Sequence, residues 1–230
     1  MNLPKISKRL EAAASFARRG ERIADVGTDH AYLPIYLYAK GITPGGVASD
    51  INEGPVSRAR INVRGWGAAG AFEVLRADGL DGIEKYAVGD IYVLGMGGEL
   101  IANIIDAAEW VRNSKIRLIL QPMTHPEVLR AYLYENGFEI VDECLVSEDK
   151  IYQIMCAQYR GGRREVSLGE LYFGRHNLER GGELLRELLL RARDVYQKRA
   201  LGKGLSDNAD TSEEQKMLDE IERILGGTEK

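Results

Sequence analysis

The 230-residue sequence contains no apolar run approaching the roughly 20 residues that a membrane span needs. Its opening stretch, MNLPKISKRL, lacks the apolar core of a secretory leader. There are only two cysteines, too few for a disulfide framework and without metal-site spacing. Cys144 and Cys156 each sit in an apolar, strand-like run and read as core thiols. Internal repeats and low-complexity segments are also missing. These absences, with 44% hydrophobic and 29% charged residues, point to a globular protein of the cytoplasm. The length suits one ordinary domain with an appendage.

A large excess of positive charge is missing too. The net charge of −4 argues mildly against a nucleic-acid partner, but its distribution is uneven. Residues 160–203 hold eleven Lys/Arg against six Asp/Glu, a net +5, and residues 204–230 hold three against eight, a net −5. The first 159 residues carry −4, with Lys5, Lys8, Arg9, Arg18, Arg19 and Arg22 forming a basic edge near their start.

Short apolar runs at 22–27, 46–51, 72–78, 90–96 and 117–122 are bounded by Gly, Asp or Pro and predict strands. Between them, 32–40, 55–67, 99–112 and 126–136 carry apolar residues at helical spacing, with Pro55 and Pro126 in first-turn positions. Such β-α repetition predicts a parallel sheet covered on both faces. Residues 137–146 and 151–159 are joined by only SEDK, too short for a crossover, and predict an antiparallel hairpin. Five parallel strands ending in an antiparallel hairpin are the Rossmann-like sheet of a class I, S-adenosylmethionine-dependent methyltransferase, not the six-parallel-strand dinucleotide fold. Residues 160–182 read as a polar boundary segment. Leucines 184, 185, 188 and 189 with Ala192 and Val195, then Met217, Leu218, Ile221 and Leu225, give two helical stripes separated by a loop at 202–209. A second helix capped by Thr211 or Ser212 completes an antiparallel, coiled-coil-like hairpin. The expected organisation is α/β, with a methyltransferase domain at 1–160 and a linker plus α-helical domain at 161–230.

The loop after the first strand, DVGTDHAYLP, has Gly27 for a tight turn but lacks the second and third glycines of a pyrophosphate loop. Asp29 stands there instead and would repel a phosphate; with Asp25, it suits a cofactor bearing an ammonium and a sulfonium. His30 is a donor for that cofactor's carboxylate, although Asp29 and His30 also read as a helix cap. Asp50, at the end of strand two, matches an acid that bridges ribose hydroxyls. In RADGL, Asp78 offers an acceptor for an adenine amine and the Gly79–Leu80 backbone a flank for the ring, or the segment is a plain Asp-Gly turn. The fourth strand ends in VLGMGG, without an acid or base, so that Gly95, Gly97 and Gly98 let a substrate ring approach the backbone. Beside it, QPMTHP offers Gln121 for a base edge and places Pro122 next to it, while His125 reads as a surface or capping residue. A site without a base fits a ring nitrogen that already has a lone pair.

In this order and spacing, SKRL, DVGTDHAYLP, ASDINEGP, RADGL, GMGG and QP resemble the bacterial tRNA (adenine-22-N1)-methyltransferase family, over nearly the whole chain. Thr28 stands where a serine is expected. The resemblance implies methyl transfer from S-adenosyl-L-methionine to N1 of adenine 22. It implies cofactor contacts at Arg9, Asp25, Gly27, Asp29, His30, Leu33, Asp50, Ile51, Asn52, Asp78, Gly79 and Leu80. Gly95, Gly97, Gly98, Gln121 and Pro122 are the implied acceptor side. The implied partner is tRNA; no membrane, metal or protein partner is expected, and the chain is expected as a monomer or weak dimer. A small-molecule methyltransferase, or a non-catalytic tRNA-binding protein, would share the same core. An NAD-dependent oxidoreductase conflicts with Asp29 and the terminal hairpin.

Overall fold

The computed structural model describes residues 4–203 and 210–227. The chain forms two compact units, Met1–Arg164 and Glu165–Lys230. In the first, α1 (Lys8–Ala14) leads into β1 (Ile23–Val26), α2 (Tyr32–Ala39), β2 (Gly46–Asp50), α3 (Glu53–Gly65) and β3 (Phe72–Arg76). Then come β4 (Asp90–Gly97), α4 (Gly98–Asp106), β5 (Arg117–Thr124), α5 (Pro126–Glu135), β6 (Phe138–Ser147) and β7 (Ile151–Tyr159). The seven strands form one sheet in the order β3-β2-β1-β4-β5-β7-β6. The first five are parallel; β7 runs antiparallel to both β5 and β6.

Helices on both faces explain why the central strands are continuous apolar runs rather than alternating ones. Ile23, Ala24, Ile91, Val93 and residues 118–120 are wholly buried. From β1 the chain works outward to β3, then returns to lay β4 on the other side of β1. That reversal opens a crevice at the C-terminal ends of β1 and β4, where ligands bind in such sheets. Cys156 is buried, its thiol pushed up to about 12 by desolvation, and Cys144 packs partly buried against the core.

Three expectations are corrected. The helix predicted at 99–112 stops at Asp106 and resumes only as a 3-10 turn at Glu109–Val111, once Ile101, Ala102 and Ile105 have filled the inward face. α3 begins at Glu53, so Pro55 is its third residue, still within the first turn where an N–H has no helical partner. The supposed boundary segment contains two short helices, α6 (Leu168–Phe173) and α7 (Arg175–Arg180). Ser167 and Glu170 close a reciprocal capping box on α6, a spacing readable in SLGE.

The second unit continues with α8 (Glu183–Lys203) and α9 (Ser212–Gly227). Pairing of Arg193 with Glu222 and Lys203 with Glu214 makes the two antiparallel. Leu185 and Leu189 are buried with Met217 and Ile221, whereas Val195, at the far end of the stripe, is 45% exposed. Of the loop expected at 202–209, Gly202 and Lys203 belong to α8 and the rest lies outside the described residues. Among the described residues, no helix is long and apolar enough to cross a membrane.

Candidate functional site

The turn after β1 is fixed by its backbone. Gly27 has φ +77°, and a Cβ there would collide with Met96 Cε. Gly27 and Thr28 both donate their N–H to the Ser49 carbonyl, 2.8 Å each, tying the turn to β2. Beside it lies a cavity of about 320 Å³ lined by Arg9 and Leu10 of α1, Asp25 of β1, the turn at 27–33, and Leu94 and Gly95 of β4. A roomier hollow of about 670 Å³ sits around Arg18, Glu21, Trp110 and Lys115. That one opens at the N-terminal ends of the strands, the wrong end for ligand binding in a parallel sheet. The smaller cavity has the convergent chemistry.

Asp25 is 8% exposed and has no basic partner in the ion pairs of the described residues. Burial pushes its carboxyl up to about 6; the Thr28 hydroxyl pulls it down and the Asp50 charge adds a further rise. A buried carboxylate held this way is poised for a cation. Arg9 lies across the same cavity, hydrogen-bonded to Gln121 Oε1 and resting 5.3 Å from the centre of the Tyr152 ring. One cavity thus presents an acid and a base, the complement of an amino-acid zwitterion.

The acid-histidine pair does not cap α2. The capping position belongs to Ala31, in the left-handed region at φ 56°, whose N–H is taken by Thr28 Oγ1. Asp29 instead accepts from Arg58 at 2.6 Å and contacts His30 Nε2 at 3.1 Å. The His30 carbonyl accepts from Asn62 Nδ2, and its ring stacks on Tyr32 at 5.1 Å between centroids. Leu33 is buried below them.

Asp50 ends β2 and accepts the Asn52 N–H at 2.8 Å, while Ile51 is 49% exposed. The neighbouring β3 delivers Asp78, exposed, then Gly79 at φ +53° and buried Leu80. The Ala77 N–H donates to the Asp50 carbonyl, so the two strand ends form one continuous rim. Asp78 also accepts, through its carbonyl, the N–H of Asp81, so the Asp-Gly turn is real. Asp50, Ile51, Asn52, Asp78, Gly79 and Leu80 lie along this rim, outside the lining of the cavity that holds Arg9, Asp25, Gly27, Asp29, His30 and Leu33.

On the β4 side, Gly95 at φ +79° sits in a register irregularity between β4 and β5. Its missing side chain leaves room for Arg9, whose Nη1 lies 3.3 Å from where a Cβ would stand. Gly97 precedes α4, and Gly98 is its first residue, pressed against the His125 carbonyl so closely that a Cβ would collide. Gln121 is wholly buried, its amide donating to the Pro122 carbonyl at 2.8 Å and accepting from Arg9. With both ends of its amide engaged, it positions Arg9; the base-edge contact expected of it is not what this geometry offers. His125 caps α5 in the left-handed region and meets Glu127 at 3.2 Å.

The basic edge is corrected as well. Arg18 is locked to Asp90 at 2.7 Å, Arg19 bonds the Gly41 carbonyl and Arg22 that of Tyr86. All three stand at the opposite end of the sheet from the cavity. Sequence reasoning missed Tyr32, Arg58, Met96 and Tyr152 as parts of the site. Nothing in local spacing announces Arg58 or Tyr152, which reach the site from elements packed beside it.

A methyltransferase-domain family model matches residues 6–155. The tRNA (adenine(22)-N(1))-methyltransferase of Bacillus subtilis is 38% identical over 159 residues, 69% of this chain and 67% of that one. The crystal structure of the Bacillus subtilis m1A22 tRNA methyltransferase TrmK superposes with a TM-score of 0.82 at 31% identity, covering 96% of both chains. A Streptococcus pneumoniae protein described as a putative tRNA (m1A22) methyltransferase was solved in complex with S-adenosyl-L-methionine. It superposes at 0.84 with 31% identity, covering 96% of this chain and all of that one.

Proposed function

Because the chain belongs to the tRNA (adenine-22-N1)-methyltransferase family, we propose that it methylates N1 of adenine 22 in tRNA with S-adenosyl-L-methionine as methyl donor. The observation that carries this reading is the cavity at the β1–β4 reversal, where buried Asp25 and half-buried Arg9 face one space beside the side-chain-free Gly95. These groups fit the donor's amino-acid end: Asp25 takes the ammonium and Arg9 the carboxylate. Asp50 takes the ribose hydroxyls, with Ile51 and Asn52 alongside, and Asp78, Gly79 and Leu80 flank the donor's adenine. Gly27, Asp29, His30 and Leu33 complete the wall next to the turn.

The donor supplies a methyl group already activated on a sulfonium. The protein's task is therefore positional. Adenine N1 carries its own lone pair, so no proton has to leave before the bond to carbon forms. The positive charge passes from sulfur to the methylated ring, and a site holding Asp25 keeps a carboxylate near both states. Gly95, Gly97 and Gly98 let the ring come close to the backbone. Gln121 and Pro122 support this side by fixing Arg9. The macromolecular partner is tRNA, the setting the cytoplasm, and the working form a monomer or weak dimer.

Incubation of the protein with labelled S-adenosylmethionine and unmodified tRNA, followed by nucleoside analysis and by primer extension to map the methylated position, tests the reading. One methyl per tRNA, recovered as 1-methyladenosine at position 22, is the expected result. Label at another nucleoside, or only in small molecules, would replace it.

A further inference from the structure

His30 and Tyr32 stack at 5.1 Å with their planes 16° apart, although they are two residues apart at a helix start. Residues at that spacing do not face each other along a regular helix. The contact exists because Ala31 between them takes the left-handed conformation, one of three non-glycine residues with positive φ among the described residues. That conformation costs an alanine on the order of 1–3 kcal/mol, and strain of this kind gathers at working sites. The fold secures it from several directions: Thr28 Oγ1 holds the Ala31 N–H, Asn62 holds the His30 carbonyl, and the Arg58–Asp29 pair holds the imidazole. Yet Tyr32, the ring held by all this, remains 40% exposed while lining the same cavity as Asp25 and Gly95. Among the described residues no second ring covers it, and its hydroxyl makes no hydrogen bond.

We propose that Tyr32, backed by His30, is the stacking platform that receives the acceptor adenine once it has been turned out of the tRNA. A base removed from its stack loses contacts worth a few kcal/mol, and an aromatic face returns a share of them without regard to the edges of the ring. The assignment rests on the tRNA-methyltransferase reading of the site. It gives the strained turn a purpose that the donor does not require: a flat, preoriented surface beside the glycines of β4. His30 acts as a positioning residue, its ring fixing the tilt of Tyr32.

The test compares Tyr32→Ala and Tyr32→Phe with the wild type in three measurements. These are S-adenosylmethionine affinity, single-turnover methylation of unmodified tRNA, and the fluorescence of tRNA carrying 2-aminopurine at the target position, bound with S-adenosylhomocysteine. Tyr32→Ala should slow methylation roughly tenfold or more, the scale of one lost base–aromatic stack, and leave donor affinity within about twofold. Its bound 2-aminopurine should be brighter than in the wild type, where the ring quenches it. Tyr32→Phe should restore both the rate and the quenching, which a general packing defect would not allow. Unchanged methylation in Tyr32→Ala overturns the proposal, as does a loss of donor affinity matching the loss of rate, which would assign the ring to the donor. A wild-type protein that binds the donor but methylates no tRNA overturns the activity itself, and this platform with it.

Discussion

Asp25 is the residue on which donor binding should turn. Its folded pKa of about 6 lies above the ordinary carboxylate value because burial favours the neutral form. For folding, this means that the Asp25 contribution to stability falls as pH rises from the unfolded value through about 6. A cationic ligand needs the ionised form, so S-adenosylmethionine affinity should rise through the same window, about tenfold per pH unit below about 6. Titration calorimetry across that range should show the step in the wild type and none in Asp25→Asn. Above the step the variant should bind more weakly by roughly 1–3 kcal/mol, the worth of a charge-assisted hydrogen bond. A step that survives the substitution would locate the titrating group elsewhere. The glycines of β4 allow a second test. Gly97 has φ −66°, and a Cβ there would stand 3.3 Å from Thr124 Oγ1, a tight contact that a few tenths of an ångström of side-chain movement relieves, whereas a side chain at Gly98 would strike the His125 backbone. Gly97→Val should therefore keep the fold and the donor affinity while abolishing methyl transfer, which activity assays beside donor titrations would register. The placement of Asp25, Gly27, Asp50 and Gly95 at or near the C-terminal ends of strands was legible in the sequence, because strand ends are marked by composition. The roles of Asp29 and Gln121 were not, since each depends on a partner far along the chain: Arg58 for one, Arg9 for the other. The left-handed turn at Ala31 has no signature, because alanine is not a residue chosen for that conformation.

Among the elements, the parallel strands and the terminal hairpin follow from period, length and a four-residue connection. The helices at 168–180 were overlooked because each is only six residues long and glycines flank them, although the capping box was there to be read. They change how the second unit should be cut. α6 is tied to α9, whose Glu220 accepts the Gly169 N–H at 3.1 Å and is itself clamped by Arg223. Removing only α8 and α9 would strand α6, so the clean deletion begins at Glu165. On α8, Arg191 and Arg193 are engaged by Glu187 and Glu222, and Lys203 by Glu214. Arg186 and Lys198 are exposed and outside the ion pairs of the described residues, and Arg199 rests on the Tyr196 ring. With the Arg18–Arg22 group at the opposite end of the sheet from the cavity, the phosphate contacts are expected on this helix. Deletion of 165–230 should leave S-adenosylmethionine binding intact, weaken tRNA binding at least about tenfold, and flatten its dependence on salt. Filter binding of tRNA at two or more ionic strengths reads the last two, and a donor titration reads the first. Equal tRNA affinity in the truncated protein would assign the second unit to another role.

For the molecule as a whole, the strand order has a bearing on synthesis. The chain leaves the ribosome from its N-terminus, so β1 to β5 and then β6 are available before β7. β6 nevertheless has no place on the sheet until β7 arrives, because β7 lies between it and β5. In the interval β5, whose residues 118–120 are wholly buried in the finished protein, carries an unpaired edge of apolar side chains and open backbone groups. The residues of the donor cavity have all been made by then, the last being Gly95. A fragment ending near residue 150 should thus aggregate when expressed, while one ending at Arg164 should remain dispersed and bind S-adenosylmethionine; light scattering beside donor titration separates the two. At a translation rate of roughly 5–20 residues per second, the exposed edge persists for a few seconds in each round of synthesis. A nascent chain stalled between Thr124 and Tyr159 should therefore recruit chaperones, whatever its cavity already contains.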